Sequence, residues 1–402
     1  MYSRLLLLAL GTFAIGTDSF VVAGILPNVA DDLNVSNSAA GQLVTVFALS
    51  YAVLSPVMAA ATAHWPRKQL LISGLLVLAL GNVLTAVLPT FGLVVASRVV
   101  AGLGAAMFTP TASVTASTLA PPEKRGKALA IVMAGLSGAT ALGAPIGTVI
   151  GSQSDWRTTM WFVVALALVA AVGVMTMLPA VPSLPPVKLS QRLTPLRDTR
   201  IVFTLLTTVL VLMGLYTVYT YIAISFDRAT DGNGTTLAVL LFIWGIAATL
   251  GNLGGGSLTD KLGSRVVINS AIVIAALNFL LLPLSSRNTV TAALALVVWG
   301  LCGWGVLVPQ QHRLIQINPA GAPLSIALNA AALYLGVSAS GGTGAAGISL
   351  FGAYNLGLVG AVFIVLGLGT AEIARSLIAR RGKPSSDGAP QAAPVAEPSP
   401  RT

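Results

Sequence analysis

Charged residues are scarce in this chain of 402 residues. They make up 8% of the sequence, whereas a soluble domain usually carries about 25%. Apolar residues account for 55%, and a soluble chain of this size would need far more polar surface to stay dispersed in water. These proportions exclude an ordinary water-soluble globular protein and favour an integral membrane protein.

Signatures of catalysis and of metal binding are lacking as well. The single cysteine, Cys302, excludes a disulfide framework and a cysteine-based zinc cluster. The sequence contains no phosphate-binding loop, no H-E-x-x-H motif and no G-x-S-x-G motif, and both histidines, His64 and His312, fall near predicted loops. We therefore expect no enzymatic activity, no metal, no cofactor and no direct use of ATP.

Long apolar runs, by contrast, recur along nearly the whole chain. Each run approaches the roughly 20 residues that an α-helix needs to cross the hydrocarbon of a bilayer. The first run continues past Thr17 to Pro27 without a small-residue cleavage site, which favours a retained span over a removable signal peptide. We predict an all-α integral membrane protein with twelve transmembrane helices, at residues 5–27, 40–61, 69–88, 91–115, 127–150, 158–178, 201–225, 236–258, 266–284, 289–311, 323–347 and 353–375.

The net charge of +10 is distributed unevenly along this pattern. If the N-terminus is cytoplasmic, 18 of the 22 Lys and Arg residues fall on the cytoplasmic side. Arg157, Arg228 and Arg287 fall on the other face, and Arg98 lies within a span. This asymmetry follows the positive-inside rule and predicts that both termini are cytoplasmic. The bilayer accounts for the charge, so we expect no nucleic-acid partner.

Two stretches interrupt the series of spans. Residues 179–200 are basic and rich in proline, and we interpret them as a cytoplasmic linker. Residues 377–402 are rich in Pro, Ala and Ser, and we expect them to form a disordered cytoplasmic tail. The linker separates an N-terminal bundle of six helices, residues 1–178, from a C-terminal bundle of six, residues 201–376. Two related six-helix halves are typical of secondary transporters.

Asp18 is the one acidic residue that we place within the hydrocarbon. An ionisable residue at such a depth marks a functional site by default, because burying a charge in a bilayer is costly. Asp18 lies roughly 14 Å from the outer end of its span, and Arg98 in the fourth span lies at a similar depth, roughly 10 Å from its outer end. We predict that Asp18 carries the coupled proton and that Arg98 tunes its proton affinity. A static buried ion pair is the alternative.

The loop between spans 8 and 9 combines glycine with charge in a motif-like order. It reads Gly256-Ser-Leu-Thr-Asp260-Lys261-Leu-Gly263-Ser-Arg265. Its counterpart between spans 2 and 3 lacks the acid and keeps the basic pair Arg67 and Lys68.

Two spans carry further glycine motifs. The fourth span contains Arg98-Val-Val-Ala-Gly102-Leu-Gly104. The fifth contains four residues of a second pattern, namely Gly138, Gly143, Pro145 and Gly147.

Together these segments resemble the G-x-x-x-D-[RK]-x-G-[RS]-R, R-x-x-x-G-x-G and antiporter motifs of the major facilitator superfamily. Within that superfamily the chain is similar to the twelve-span drug:proton antiporters, including the arabinose/sugar-efflux-like branch, over about residues 5–376. The resemblance implies the major facilitator fold, with two pseudo-symmetric six-helix bundles, and a monomeric protein in the cytoplasmic (inner) membrane of a bacterium.

The resemblance also gives the motifs expected roles. The loop motif would be a cytoplasmic gate, with Asp260 latching onto Arg265 or onto a neighbouring helix N-terminus. In the fifth span the proline would kink the helix, and the glycines would pack against the eighth span. Because the loop between spans 2 and 3 lacks the acid, we expect an asymmetric gate.

Polar and aromatic residues in spans 1, 7, 10 and 11 are candidates for the substrate path. An apolar pocket with a few polar groups and aromatic rings suits small amphipathic or aromatic ligands, although helix packing explains any one of these residues equally well. The candidates are Phe20, Tyr216, Tyr219, Tyr221, Trp299, Trp304 and Asn329.

These expectations combine into a proton-coupled efflux antiporter that exports a small molecule by alternating access. A proton-coupled importer of the same fold is the first alternative, and the proline–glycine pattern of span 5 argues against it. A membrane-embedded enzyme or a transporter-like receptor is a second alternative. It is disfavoured because no catalytic constellation and no soluble signalling domain are evident in the sequence.

Overall fold

The structure is a computed structural model that describes residues 2–181 and 189–381. Within these ranges the chain consists of α-helices, short 3-10 turns and loops, without strands. Twelve helical segments are long and apolar enough to span a bilayer, which confirms the predicted class and number. They are α1 (Tyr2–Gly24), α2 (Asn37–Ala61), α3 (Arg67–Val87), α4 (Phe91–Leu119), α5 (Arg125–Gln153), α6 (Trp156–Met177), α7 (Thr199–Tyr219), α8 (Gly234–Leu262), α9 (Ser264–Ser285), α10 (Thr289–Ile317), α11 (Ala322–Phe351) and α12 (Ala353–Arg380).

Several ends differ from the predicted spans. Helix α7 stops at Tyr219, six residues before the predicted end, and two short helices, Ile222–Ser225 and Asp227–Thr230, follow it. The last helix runs on to Arg381, so the tail predicted from residue 377 begins inside it. Residues 382–402 lie outside the described part of the chain.

The predicted linker is partly ordered where it is described. Short helical turns occupy Leu189–Arg192 and Thr194–Arg197 just before α7. Arg192 Nη2 donates a hydrogen bond to the carbonyl of Ala59 at the end of α2, at 3.1 Å. Residues 182–188 lie outside the described ranges. The described part of the linker therefore docks against the N-terminal bundle.

Contacts between loops show that the twelve helices alternate in direction. At one end of the molecule, here called the termini end, the linker contacts α2 and the start of α9 pairs with α12. At the opposite end, Asp32 after α1 pairs with Arg157 at the start of α6, and Arg228 after α7 stacks on Tyr354 at the start of α12. The start of α1 and the end of α12 therefore both lie at the termini end.

The two bundles meet along two helix pairs, α2 with α11 and α5 with α8. Glycines permit this approach. An added Cβ at Gly245 of α8 would collide with the backbone of Thr140 in α5, and one at Gly341 of α11 would collide with the side chain of Thr45 in α2. In a bilayer, where water drives no association between helices, such small residues allow close van der Waals packing.

Candidate functional site

A cavity of about 320 Å³ lies between the two bundles, midway along the helices and toward the termini end. Met133 and Gln311 line it and are exposed, so the cavity opens toward that end. Both bundles supply its walls. The lining residues are Thr12, Ile15, Ser19, Phe20, Val44, Phe47, Ala48, Tyr51, Thr109, Met133, Leu136, Ser137, Tyr216, Asn252, Trp304, Leu307, Val308, Gln311, Asn329, Ala330, Leu333, Tyr334 and Val337.

Aromatic rings form much of the cavity wall. Phe20 of α1 reaches across to the second bundle, where its ring centroid lies 6.4 Å from that of Tyr216 and 6.1 Å from that of Trp304. Tyr51 of α2 and Tyr334 of α11 stack with their centroids 3.8 Å apart. These rings from both bundles provide a flat apolar surface of the kind that binds aromatic ligands.

Four of the seven predicted substrate-path residues line this cavity: Phe20, Tyr216, Trp304 and Asn329. The side-chain oxygen of Asn329 accepts a hydrogen bond from the hydroxyl of Thr208 at 2.8 Å. The buried amide of Gln310 packs behind this pair and donates to the carbonyl of Thr204 at 3.2 Å. The hydrogen bond from Thr208 anchors the Asn329 side chain at the cavity wall.

The other three predicted residues do not line the cavity. Tyr219 and Trp299 are buried in an aromatic cluster of the second bundle that also includes Trp244, and the Tyr219 hydroxyl donates to the carbonyl of Phe20 at 3.2 Å. Tyr221 lies beyond α7, at the opposite end. These three side chains point away from the cavity. The aromatic character of a residue does not by itself show which face of its helix the residue occupies.

Tyr221 contributes to closure of the opposite end. Its hydroxyl donates to the carbonyl of Gly341 in α11 at 2.8 Å and lies 3.4 Å from the carbonyl of Ser38 in the first bundle. An added Cβ at Gly41, also in the first bundle, would collide with its ring. The bundles are therefore in tight contact around Tyr221, which lies between the central cavity and a pocket of about 840 Å³ that both bundles line at the opposite end.

Phe47, Tyr51 and Asn252 line the cavity but were not among the sequence-predicted candidates. Asn252 is an amide within an otherwise apolar stretch of α8, and that polarity was a usable signal. The sequence around Phe47 and Tyr51 gives no such signal, because their neighbours in α2 are equally apolar on every face.

The predicted pair of Asp18 and Arg98 is present. Arg98 Nη1 lies 2.9 Å from Asp18 Oδ1, and the two side chains are 1% and 0% exposed. Arg98 Nη1 is also 3.4 Å from the side-chain oxygen of Asn82 in α3. The second carboxylate oxygen of Asp18 has no hydrogen-bond partner among the described residues. Asp18 is thus a buried carboxylate with a hydrogen bond to only one of its two oxygens, and it lies at the junction of α1, α3 and α4.

The pair does not line the cavity. Asp18 points into the first bundle, whereas its neighbours Ser19 and Phe20 line the cavity. The Phe47 ring separates the two, because it lines the cavity and lies 4.8 Å from the guanidinium carbon of Arg98. Adjacent helical residues lie about 100° apart around the axis, so a correct depth does not fix the direction of a side chain.

The loop motif between α8 and α9 folds differently from the predicted latch. Helix α8 runs through Asp260 and Lys261 and ends before Gly263, whose φ of +79° suits glycine. Arg265 pairs with Glu372 of α12 at 3.1 Å and makes no bond to Asp260. Among the described residues Asp260 forms no ion pair, so the predicted Asp260–Arg265 latch is absent in this conformation.

Glu372 is the residue that the sequence analysis overlooked here. It receives hydrogen bonds from Arg265, from Asn269 at 2.5 Å and from Arg375 at 3.4 Å. The glutamate lies near the end of the last predicted span and was not treated as a membrane acid. Its bonds tie α9 to α12 at the termini end.

The other two gate candidates begin a helix. Arg67 and Lys68 are the first residues of α3. The Arg67 backbone N–H donates to the carbonyl of Val181 at 3.3 Å, which joins α3 to the start of the linker. Gly256 lies within α8, where an added Cβ would touch only Val308.

The glycines of the antiporter-like motif face α1, whereas the prediction had them pack against α8; the same segment of α5 contacts α8 through other residues. Added Cβ atoms at Gly143 and Gly147 would collide with Thr17 and Val21 of α1, and one at Gly138 would touch Phe13 at 3.4 Å. Helix α8 instead contacts α5 through its own glycine, Gly245.

Helix α5 also contains a wider turn beside its proline. Pro145 has no N–H to bond the carbonyl four residues earlier, and its ring crowds that carbonyl. A π-helical turn, Ala139–Gly143, lies directly before it.

Comparisons with a family model and with known proteins agree on one family. The family model of the Major Facilitator Superfamily matches residues 8–341. An uncharacterised MFS-type transporter of Bacillus subtilis, YbcL, is 29% identical over 91% of this chain and 94% of its own length. The inner membrane transport protein YdhP of Escherichia coli is 30% identical over 86% and 88%.

A third relative is named for a resistance phenotype. The chloramphenicol resistance protein of Streptomyces lividans is 34% identical over 65% of this chain and 68% of its own length. With the family model, the helix count and the bundle contacts in agreement, the chain belongs to the Major Facilitator Superfamily and is a multi-pass membrane transporter.

Proposed function

We propose that this transporter is a proton-coupled antiporter that exports a small molecule. The observation that carries the proposal is the buried ion pair of Asp18 and Arg98, which lies directly behind the cavity wall. A carboxylate and a guanidinium are rarely left inside a membrane bundle without a role in ion movement. The similarity to the S. lividans resistance protein supports export over import.

The proposed coupling runs through Phe47. When Asp18 is ionised it holds the Arg98 guanidinium, which packs against the Phe47 ring. A proton on the free Oδ2 of Asp18 would neutralise the carboxylate and leave Arg98 without its countercharge. Arg98 would then shift toward other acceptors, such as Asn82, and Phe47 would move with it. The cavity therefore changes shape with the protonation state, and differential substrate binding by the two states is what coupling requires.

The proposed orientation places the termini end in the cytoplasm. The cavity then opens inward in this structure, ready to receive a substrate for export. After the bundles rock, the cavity would open outward and the termini end would close. Asp260, unpaired here among the described residues, is available to form the predicted latch in that second state.

The test of coupling uses a bacterium that lacks its major efflux pumps. Expression should raise resistance to one or more compounds of a toxic panel, with chloramphenicol included because of the named relative. A protonophore should abolish the effect. Asp18→Asn should abolish it as well, whereas Asp31→Asn, a change of an exposed acid at the opposite end, should not. Normal proton-dependent efflux by Asp18→Asn would contradict the coupling role.

Transport direction needs a separate measurement. Everted membrane vesicles energised by respiration should accumulate an exported substrate and should acidify less when that substrate is added. An importer of the same fold would accumulate its substrate in right-side-out vesicles instead. That outcome would establish the alternative and keep the role of Asp18 intact.

A further inference from the structure

The described residues that line the central cavity carry no charged side chain. None of its 23 lining residues is Asp, Glu, Lys, Arg or His, although the walls come from both bundles. The nearest ion pair named above, Asp18 with Arg98, is fully buried behind the wall, and its two charges compensate each other. In this ion-paired state a bound molecule therefore meets no unbalanced charge.

This neutrality selects against ions of either sign. An ion that leaves water for a low-dielectric cavity loses its hydration, and only a countercharge or a dense set of oriented dipoles offsets that loss. The aromatic rings of Tyr51, Tyr216 and Trp304 attract cations through their faces, but this attraction is smaller than the hydration that an ion gives up. No lining group compensates an anion.

Hydrogen-bonding groups are nevertheless present on both sides of the aromatic surface. Apart from the tyrosine hydroxyls, which both bundles contribute, the first bundle supplies hydroxyls and the second supplies amides. These groups are Thr12, Ser19, Thr109 and Ser137 from the first bundle, and Asn252, Gln311 and Asn329 from the second. A ligand that satisfies them carries several polar but uncharged groups.

We infer that the substrate of this site is an uncharged amphipathic molecule that combines an aromatic or flat apolar part with hydrogen-bonding groups, and that lipophilic cations and anions are excluded. The inference rests on the proposed function, because it takes the cavity as the transport site. It also has an energetic consequence: exchange of an uncharged molecule for a proton moves one positive charge inward in each cycle. Export is then driven by the membrane potential as well as by the pH gradient.

Three probes that carry phenyl rings around a central phosphorus or boron atom test the selectivity. They are triphenylphosphine oxide, which is neutral, tetraphenylphosphonium, a cation, and tetraphenylborate, an anion. Binding to the purified full-length transporter in lipid nanodiscs is measured by equilibrium dialysis, with empty nanodiscs as the blank. The neutral oxide should bind at least about tenfold more tightly than either ion. Equal or tighter binding of either ion, or no saturable binding of the oxide, overturns the inference.

A gain-of-function variant sharpens the test. Asn252→Asp adds a carboxylate to the cavity wall at nearly constant volume, and it should raise the affinity for tetraphenylphosphonium about tenfold or more. Gln153→Glu, the same kind of change on an exposed residue at the opposite end, should leave all three affinities unchanged. If Asn252→Asp behaves like Gln153→Glu, the cavity charge does not set selectivity.

The outcome is separable from that of the coupling proposal. Binding in nanodiscs needs no proton gradient, so the selectivity order can be obtained whether or not Asp18→Asn transports. In proteoliposomes, a potassium diffusion potential, negative inside, should accelerate proton-coupled exchange of an uncharged substrate even without a pH gradient. An electroneutral exchange would overturn the charge balance inferred here while leaving the proton coupling in place.

Discussion

At the residue scale, the pair of Asp18 and Arg98 dominates the energetics of the first bundle. A buried pair contributes little relative to an apolar replacement, but removing one partner leaves the other charge buried and uncompensated, at a cost of about 3–5 kcal/mol. The side chains of Asp18 and Arg98 are 0% and 1% exposed, so the cost of removing one partner applies to this pair.

We therefore predict strong non-additivity at these two positions. Asp18→Asn and Arg98→Met should each lower the free energy of unfolding by about 3–5 kcal/mol, and the double variant should lose clearly less than the sum. Unfolding in mixed micelles with increasing SDS measures all three. Asp31→Asn is the control and should change stability by less than about 0.5 kcal/mol. Simple additivity would mean that the pair is not energetically coupled.

A second charged contact, at the opposite end, gives a prediction about pH. Arg157 and the indole N–H of Trp156 both donate to Asp32 and hold the pKa of that carboxyl below its ordinary value of 3.8. A lowered pKa in the folded state stabilises the protein above pH 3.8, and the stabilisation is lost as the pH falls through the lowered value.

Thermal unfolding of the wild type and of Asp32→Asn should thus differ at neutral pH and converge in acid. Because Asp32 is 46% exposed, the difference should not exceed about 1 kcal/mol. A difference that persists unchanged below the lowered pKa would show that the effect of the substitution is not electrostatic.

At the scale of helices, α5 and α8 form one of the two seams between the bundles. Gly245 sits at the seam, whereas Gly254, nine residues further along α8, has open space where a side chain would be. The two glycines share a helix and differ in their surroundings, so they form a matched pair.

Gly245→Ala should force α8 away from the α5 backbone at a cost of roughly 1–3 kcal/mol, with a marked loss of transport rate. Gly254→Ala should be neutral or stabilising by up to about 1 kcal/mol, because alanine favours the helix. Initial transport rates in vesicles and unfolding in micelles provide the readouts. Equal behaviour of the two variants would refute the seam contact.

The sequence largely predicted which segments form helices, but it did not predict which face of each helix meets which neighbour. The twelve apolar runs gave the spans to within a few residues, since apolar length is a local property. The glycines of α5 were recognised, yet their partner is α1 through Thr17 and Val21. On a helix that is apolar on all sides there is no hydrophobic stripe to indicate which face meets which neighbour.

At the scale of the whole molecule, the cavity and the opposite-end contacts represent one conformation of the proposed alternating-access cycle. Two glutamines offer a labelling test of its orientation, because Gln311 lines the cavity and Gln153 is exposed at the opposite end. In a Cys302→Ser background, Gln311→Cys should react with a membrane-impermeant maleimide added to everted vesicles, and Gln153→Cys should react in right-side-out vesicles. The reverse pattern would invert the proposed topology.

The closing contact at the opposite end should control that reactivity. An added Cβ at Gly341 would collide with Thr45 across the bundle interface, whereas Gly342 has open space. Gly341→Ala should therefore disfavour closure at the opposite end and lower the labelling rate of Gln311→Cys severalfold, since the outward-open state gains population. Gly342→Ala should leave the rate unchanged. An unaffected rate in both variants would mean that Gly341 does not support closure.

The sequence by itself determined the class, the number of spans, the family and the depth of Asp18 and Arg98, because these follow from run length, motif and helical rise. Tertiary structure alone decided that this pair faces away from the cavity behind Phe47, that Arg265 pairs with Glu372, and which 23 side chains line the cavity. Those outcomes depend on the rotation and tilt of each helix within the bundle. Rotation and tilt are set by close packing between helices distant in sequence, and no local pattern encodes them.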